Sequence, residues 1–212
     1  MSRTAIVVLA AWSLTSALVG CGTNPPGLAR GREVYQTCVP CHGANGGGNH
    51  ELGAPAIAGL PQWYIQTQLT NFQKSMRGAH PDDREGARMR PMAKTLHRKG
   101  DLESVAEYVS KLPPVAQSAT LTGGDPVAGE ARFALCATCH GADAKGNKDM
   151  GAPTLAGQAD WYMYGQLQKF KSGMRGAHPE DAMGAQMAAM SQTLEDTTAM
   201  KDVVSYVRKL TR

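Results

Sequence analysis

The chain has 212 residues, 42% of them hydrophobic and 19% charged, with five cysteines and a formal net charge of +4. That length suits one large or two small domains, since units of roughly 100 residues just bury a core of their own. The charge is too modest to argue for nucleic acid, and no stretch that is both basic and aromatic supports it.

In chain order, Arg3 is followed by the apolar run TAIVVLAAWSLTSALVG. That run is too short for a comfortable membrane span and right for an export signal, here residues 1–20. The run ends in LVGC, which resembles the bacterial lipobox, where the signal is removed and the cysteine, Cys21, takes lipid. An uncleaved anchor helix, or a soluble signal that leaves Cys21 as a spare thiol, are the alternatives. Residues 21–29 then form a tether reaching about 30 Å when extended.

A first unit follows over residues 30–112. A short helix near 30–41 leads into CVPCH, with Cys38, Cys41 and His42, and the Gly-rich loop GANGGGNHELGAP comes next. Trp63, Leu69 and Phe72 at helical spacing predict a helix over 61–76, and Val105, Tyr108 and Val109 predict another from about 101. Residues 113–127, rich in Pro, Gly and small polar residues, read as a linker.

The second unit, 128–212, repeats the first. Adding 98 to any position from Gly31 to Leu112 gives its counterpart without insertion or deletion. GREVYQTCVPCHG thus matches GEARFALCATCHG, GAPAIAGLPQWY matches GAPTLAGQADWY, and MRGAHPDD matches MRGAHPED. No strand-like alternation of any length appears, so the fold class is all-α, with two small helical domains in tandem.

The repeated CxxCH is the pattern of c-type haem attachment. Two thiols three positions apart, Cys38 with Cys41 and Cys136 with Cys139, lie on one side of a helical turn and match the two vinyl groups of one porphyrin. The next residue, His42 or His140, offers an imidazole to the iron. Zinc half-sites are usually separated by about 12 to 20 residues, and a thiol redox pair has no need of the histidine. A disulfide framework explains neither histidine. The expected cofactors are therefore two haem c groups, which would supply much of the apolar surface that each small domain buries.

The sixth iron ligand decides the chemistry, because a methionine closes the site and raises the potential. Met76 with Met174, Met89 with Met187, and Met92 with Met190 all recur, as do His80 and His178. The bland alternatives are a core gap-filler for each methionine and a turn residue for each histidine.

The paired CxxCH domains, the GAP and AG steps, the aromatic helix and the MxxMAxxL run resemble the di-haem cytochrome c4 family. That resemblance covers most of the chain from about residue 30. It implies Met89 and Met187 as the axial methionines. It also implies that the carbonyls of Pro55 and Pro153 orient the histidines by accepting the other ring N–H. Trp63 and Trp161, with Tyr64 and Tyr162, are candidates to reach haem propionates through their polar tips, against plain core packing. Arg77 and Arg175 are candidate propionate partners, against ordinary solvated arginines. The run HRKGDLES, and EDTTAMKD in the second copy, departs from the family pattern and leaves the start of the last helix open.

The function expected from the resemblance is electron transfer without enzymatic chemistry, between a quinol-oxidising complex and a terminal oxidase, on the periplasmic side of a bacterial membrane to which lipid on Cys21 tethers the protein. A permanent subunit of a respiratory complex or dehydrogenase, and a di-haem peroxidase, are the alternatives. The two copies contrast in charge: Arg84, Arg88, Arg90 and Lys94 of the first are Ala182, Gln186, Ala188 and Gln192 in the second.

Overall fold

A computed structural model describes residues 27–210; the signal segment 1–20 and Cys21 lie outside the described residues. In the first domain run α1 (Leu28–Tyr35), α2 (Val39–His42), α3 (Gln62–Gln73), α4 (Arg84–Lys94) and α5 (Asp101–Lys111). The second holds α6 (Pro126–His140), α7 (Asp160–Lys171), α8 (Ala182–Ser191) and α9 (Thr197–Leu210). Among the described residues there is no β-strand, only the isolated bridges Asn49 with Ala54 and Asn147 with Ala152. The all-α expectation holds.

Each domain is organised by a crossing of its first and last helices. A Cβ on Gly31 would lie 2.1 Å from the carbonyl oxygen of Ser104, and one on Gly129 would lie 2.0 Å from that of Asp202. Any side chain there would push α1 off α5, or α6 off α9, so the glycines set the distance of closest approach. Aromatic pairs flank the crossings, Tyr35 with Tyr108 at 5.3 Å between ring centroids and Phe133 with Tyr206 at 5.5 Å. Beneath them α3 adds Ile65, Leu69 and Phe72 to the first core, and α7 adds Met163 to the second.

The structure corrects the sequence reading in three places. The single helix expected over 30–41 is broken into α1 and α2, whereas α6 runs through its motif unbroken. Pro40 lacks the N–H that a continuous helix would donate to the Gln36 carbonyl, and Thr138 stands there in the second copy. Helices α4 and α8, which the sequence reading left unassigned, carry the runs MRPMA and MAAMS. Each is capped by an aspartate: Asp83 accepts from Gly86 N–H at 3.0 Å, and Asp181 from Gly184 N–H at 2.9 Å. The helices expected over 61–76 and 159–174 end at Gln73 and Lys171, and the last helices begin at Asp101 and Thr197.

The linker is pinned to both domains. The buried carboxylate of Asp160 accepts from Thr120 N–H at 3.0 Å, Thr120 Oγ1 at 2.7 Å and Leu121 N–H at 3.1 Å, and it pairs with Arg208 at 2.8 Å. These donors outweigh the cost of burial and hold the Asp160 carboxyl below its ordinary range. Gln117 donates to the Gly47 carbonyl of the first domain at 3.2 Å. Among the described residues no helix is long and apolar enough to cross a membrane.

Candidate functional site

Cys38 and Cys41 flank the first turn of α2, and Cys136 and Cys139 sit on the last turn of α6. All four thiols are free, and none is fully buried. Desolvation pushes the Cys38 and Cys136 thiols up from their ordinary value. The histidine that follows each pair turns inward: His42 is 8% exposed and His140 7%.

Both histidines are oriented in the same way. His42 Nδ1 lies 2.9 Å from the Pro55 carbonyl oxygen, and His140 Nδ1 lies 2.9 Å from that of Pro153. A carbonyl only accepts, so each Nδ1 carries the proton and each Nε2 keeps its lone pair. Burial holds both imidazoles below their ordinary pKa, against the opposing pull of the proline carbonyl, so the neutral, ligand-competent form prevails near pH 7. The loop that brings the proline back is closed by Gly48 N–H on the His42 carbonyl at 2.9 Å and by Gly146 N–H on the His140 carbonyl at 2.8 Å. A Cβ on Gly48 would lie 2.6 Å from the Pro55 backbone, and one on Gly146 2.5 Å from that of Pro153, so the return path is open only to glycine.

The candidate sixth ligands occupy different surroundings. Met89 is half-buried on α4 and packs against the first core, and Met187 is half-buried at the equivalent place on α8. Met76 is buried and Met174 half-buried, while Met92 is 40% exposed and Met190 half-buried. His80 Nδ1 accepts from Asp82 N–H at 3.2 Å, and His178 Nδ1 from Glu180 N–H at 3.2 Å, as turn residues do.

Arg77 and Arg175 are not solvated arginines. Both are buried, each over the phenylalanine of its own domain, Phe72 at 4.7 Å and Phe170 at 4.4 Å. Arg77 donates to Gln68 Oε1 at 2.9 Å and, across the domain boundary, to Tyr162 Oη at 2.8 Å and Gln166 Oε1 at 3.0 Å. Arg175 mirrors it, reaching Gln166 Oε1 at 2.8 Å, Tyr64 Oη at 3.3 Å and Gln68 Oε1 at 2.8 Å. Among the described residues no carboxylate hydrogen-bonds either guanidinium. The two positive charges hold the Tyr162 phenol below its ordinary pKa despite burial. Trp63 meets Tyr64 edge-on at 5.7 Å, while Trp161 stacks on His50 of the other domain at 4.7 Å.

The sequence reading named both arginines and both tyrosines but not Gln68 and Gln166, although the glutamines also recur at an offset of 98 and so carried the same signal. It also missed a contact that has no counterpart. Lys169 Nζ of the second domain reaches Asp83 Oδ1 at 2.5 Å and Glu85 Oε2 at 2.7 Å in the first. Asn71 stands at the matching position of the first domain, so the repeat gave no hint of this pair.

A model of the family described as cytochrome c matches residues 28–113 and again 126–211, and the chain belongs to the cytochrome c family. Two such domains in tandem make it a di-haem cytochrome c, an electron carrier with two covalently bound haem c groups. It is similar to a "Thiosulfate dehydrogenase electron acceptor" of Thiomonas intermedia, 35% identical over 153 residues that make up 68% of this chain and 66% of that protein. It is similar also to a "Cbb3-type cytochrome c oxidase subunit FixP" of Azorhizobium caulinodans, 34% identical over 133 residues, 60% of this chain and 43% of the subunit. The chain therefore spans just under two thirds of the first relative and less than half of the second. Among solved structures, reduced recombinant cytochrome c4 from Pseudomonas stutzeri superposes with a TM-score of 0.65 at 25% identity, covering 87% of this chain and 98% of that one.

The residues present fit a haem in each domain. Each motif offers two free thiols one turn apart and a neutral histidine with Nε2 unprotonated. Among the described residues no carboxylate hydrogen-bonds the buried guanidiniums, which is the environment an anionic haem edge would complete.

Proposed function

We propose that this cytochrome is tethered to the membrane by lipid on Cys21 and carries electrons, one per haem, on the periplasmic side from a quinol-oxidising complex to a terminal oxidase or similar acceptor. Residues 1–20 would be the export signal, 21–29 the tether, 30–112 and 128–212 the two haem domains, and 113–127 the linker. Cys38, Cys41, Cys136 and Cys139 would form the thioethers, with His42 and Met89 on one iron and His140 and Met187 on the other. Arg77 and Arg175, with the tyrosines and Trp63 and Trp161, would face the propionates. A bound haem supplies a one-electron iron couple; the protein holds the proton on each Nδ1, orients each ring and excludes water.

The observation that carries this reading is the identical hydrogen bond, 2.9 Å in both copies, between histidine Nδ1 and proline carbonyl. Both sites are built alike, so neither is set apart as a catalytic centre. A potentiometric titration followed by spectra tests it. Two one-electron waves with low-spin, methionine-type ligation are expected, and Met89→Ala and Met187→Ala should each convert one haem to a high-spin form. A high-spin haem in the wild-type protein, or rapid peroxide turnover, overturns the reading. For the anchor, Cys21→Ala should abolish incorporation of labelled palmitate.

The likeness to an oxidase subunit favours a second reading, a permanent subunit with the same haem chemistry. The likeness to thiosulfate dehydrogenase electron acceptors makes a sulfur-compound dehydrogenase the second candidate donor. Gentle detergent extraction, followed by identification of what co-purifies, separates a stoichiometric subunit from a shuttle.

A further inference from the structure

Helix α4 presents a cationic face to solvent. Arg84, Arg88 and Lys94 are exposed, Arg90 is half-exposed, and exposed Arg98 and Lys99 continue the cationic surface beyond the helix. None of Arg84, Arg88, Arg90 and Lys94 forms an ion pair with another described residue. Three of the acidic groups nearby are engaged elsewhere. Asp83 and Glu85 are held by Lys169 and Asp101 is bonded to Arg30 at 2.7 Å, while exposed Asp82 stands beside the cationic surface just before the helix. Lys169, reaching over from the second domain, thus offsets part of the negative charge beside the cationic face.

At 100° per residue Arg84 and Arg88 lie at the centre of the outward face, Arg90 and Lys94 form one shoulder, and Met92, 40% exposed, shares the other with exposed Glu85. Met89 lies on the inward side of the same helix, against the first core. A partner resting on this face therefore sits about 10 Å, one helix diameter, from the proposed iron ligand. Helix α8 has the same path and none of this charge. Its exposed residues are Ala182, Met183, Ala185, Gln186 and Ala189, and beyond it exposed Glu195 and Asp196 replace His97 and Arg98. Two domains with matched interiors thus differ in charge on the outward face of the helix that carries Met89 or Met187.

We propose that the α4 face is the docking surface for an acidic protein, the redox partner of the first domain, with Arg84 and Arg88 at its centre, Arg90 and Lys94 along one edge and Met92 as its apolar contact on the other. Opposite charge beside a small apolar contact raises the encounter rate and selects the partner, and the absence of the same charge on α8 confines that partner to the first domain. A helix of 11 residues, about 16 Å long, suits the small and transient interfaces of electron-transfer encounters. The inference rests on the carrier reading above for its purpose but is tested without redox turnover, so the two fail separately.

The probes are poly-L-glutamate for an acidic protein surface, and phosphatidylglycerol vesicles for an anionic lipid surface. Binding of the di-haem protein to each is measured by calorimetry at low ionic strength, with variants of equal charge change in the two domains. The triple variant Arg84→Ala, Arg88→Gln, Arg90→Ala, which takes the residues of the second domain, should weaken poly-L-glutamate binding by about tenfold or more. Ala182→Glu, Gln186→Glu, Ala188→Glu, with the same change in net charge, should weaken it by less than about twofold. The reciprocal graft Ala182→Arg, Gln186→Arg, Ala188→Arg should create a second binding site. Equal losses from the two triple variants, or no loss from the first, overturn the proposal. Binding to the vesicles through the α4 arginines, with none to poly-L-glutamate, overturns it in favour of a lipid surface.

Discussion

The two domains share an interior and differ on the outside. The glycine at each helix crossing, the histidine held by a proline carbonyl and the arginine over a phenylalanine recur at an offset of 98. The ion pairs around those features do not recur. In the first domain Arg30 bonds Asp101 at 2.7 and 2.9 Å across the α1–α5 crossing. In the second those positions are Ala128 and Ala199, and the nearest equivalent is Arg132, 3.8 Å from Asp202, while the bond from Gly27 N–H to Ser104 Oγ at 3.0 Å does recur, as Asp125 N–H to Asp202 at 2.8 Å. Packing around a haem leaves few solutions, whereas a surface ion pair is replaceable at little cost. The duplicated fold therefore keeps the first and spends its variation on the second.

The largest expected effect strikes what the domains share. Gly31→Ala and Gly129→Ala should each destabilise their own domain by about 3 kcal/mol, because the new methyl meets backbone rather than a movable side chain. Denaturant unfolding followed at the haem of each domain should show the loss confined to the altered half. Lys169→Asn, which gives the second domain the residue of the first, leaves Asp83 buried without its cation and should cost about 2 kcal/mol. Since both cores remain intact, the loss should appear as looser docking of the domains, read as a larger radius in X-ray scattering, with little change in either haem spectrum.

Next come the shared guanidiniums. Each of Arg77 and Arg175 touches both domains, so Arg77→Gln or Arg175→Gln should lower the potentials of both haems, by about 60 mV if the loss is tenfold in a one-electron equilibrium. The sign follows from removing a buried cation, which favours the oxidised iron. A shift in one wave alone would divide the cluster between the domains. The smallest effect concerns Asp101. Hydrogen bonds from Arg30 hold its carboxyl below the ordinary range. Its contribution is therefore present above the unfolded value of about pH 4 and is lost as pH falls through the lower folded value. Asp101→Asn should flatten that acid dependence in the first domain and leave the second, with Ala199 there, unchanged.

Much of the site was legible because its chemistry is local. Cys38, Cys41 and His42 sit within one turn, and the internal repeat shows which features both copies keep. Pro55 and Pro153 were reachable through the family resemblance, and the structure places their carbonyls on the histidine rings. Helices α4 and α8 escaped the sequence reading. The one is interrupted by Pro91 and the other is rich in Ala and Met with exposed Met183, so neither shows a clean apolar stripe. The Asp83 and Asp181 caps, each three residues before a glycine, were the signal available.

The amino-acid sequence by itself determined the family, the count of haems and the all-helical, duplicated architecture, because covalent attachment and helical periodicity depend on residues a few positions apart. Only the tertiary structure decided what the domains do to one another. Arg77 and Tyr162 are 85 positions apart, and Lys169 and Asp83 are 86 apart. No spacing rule connects such residues, and their pairing exists only because two folded bodies meet face to face and must satisfy the charges they bury.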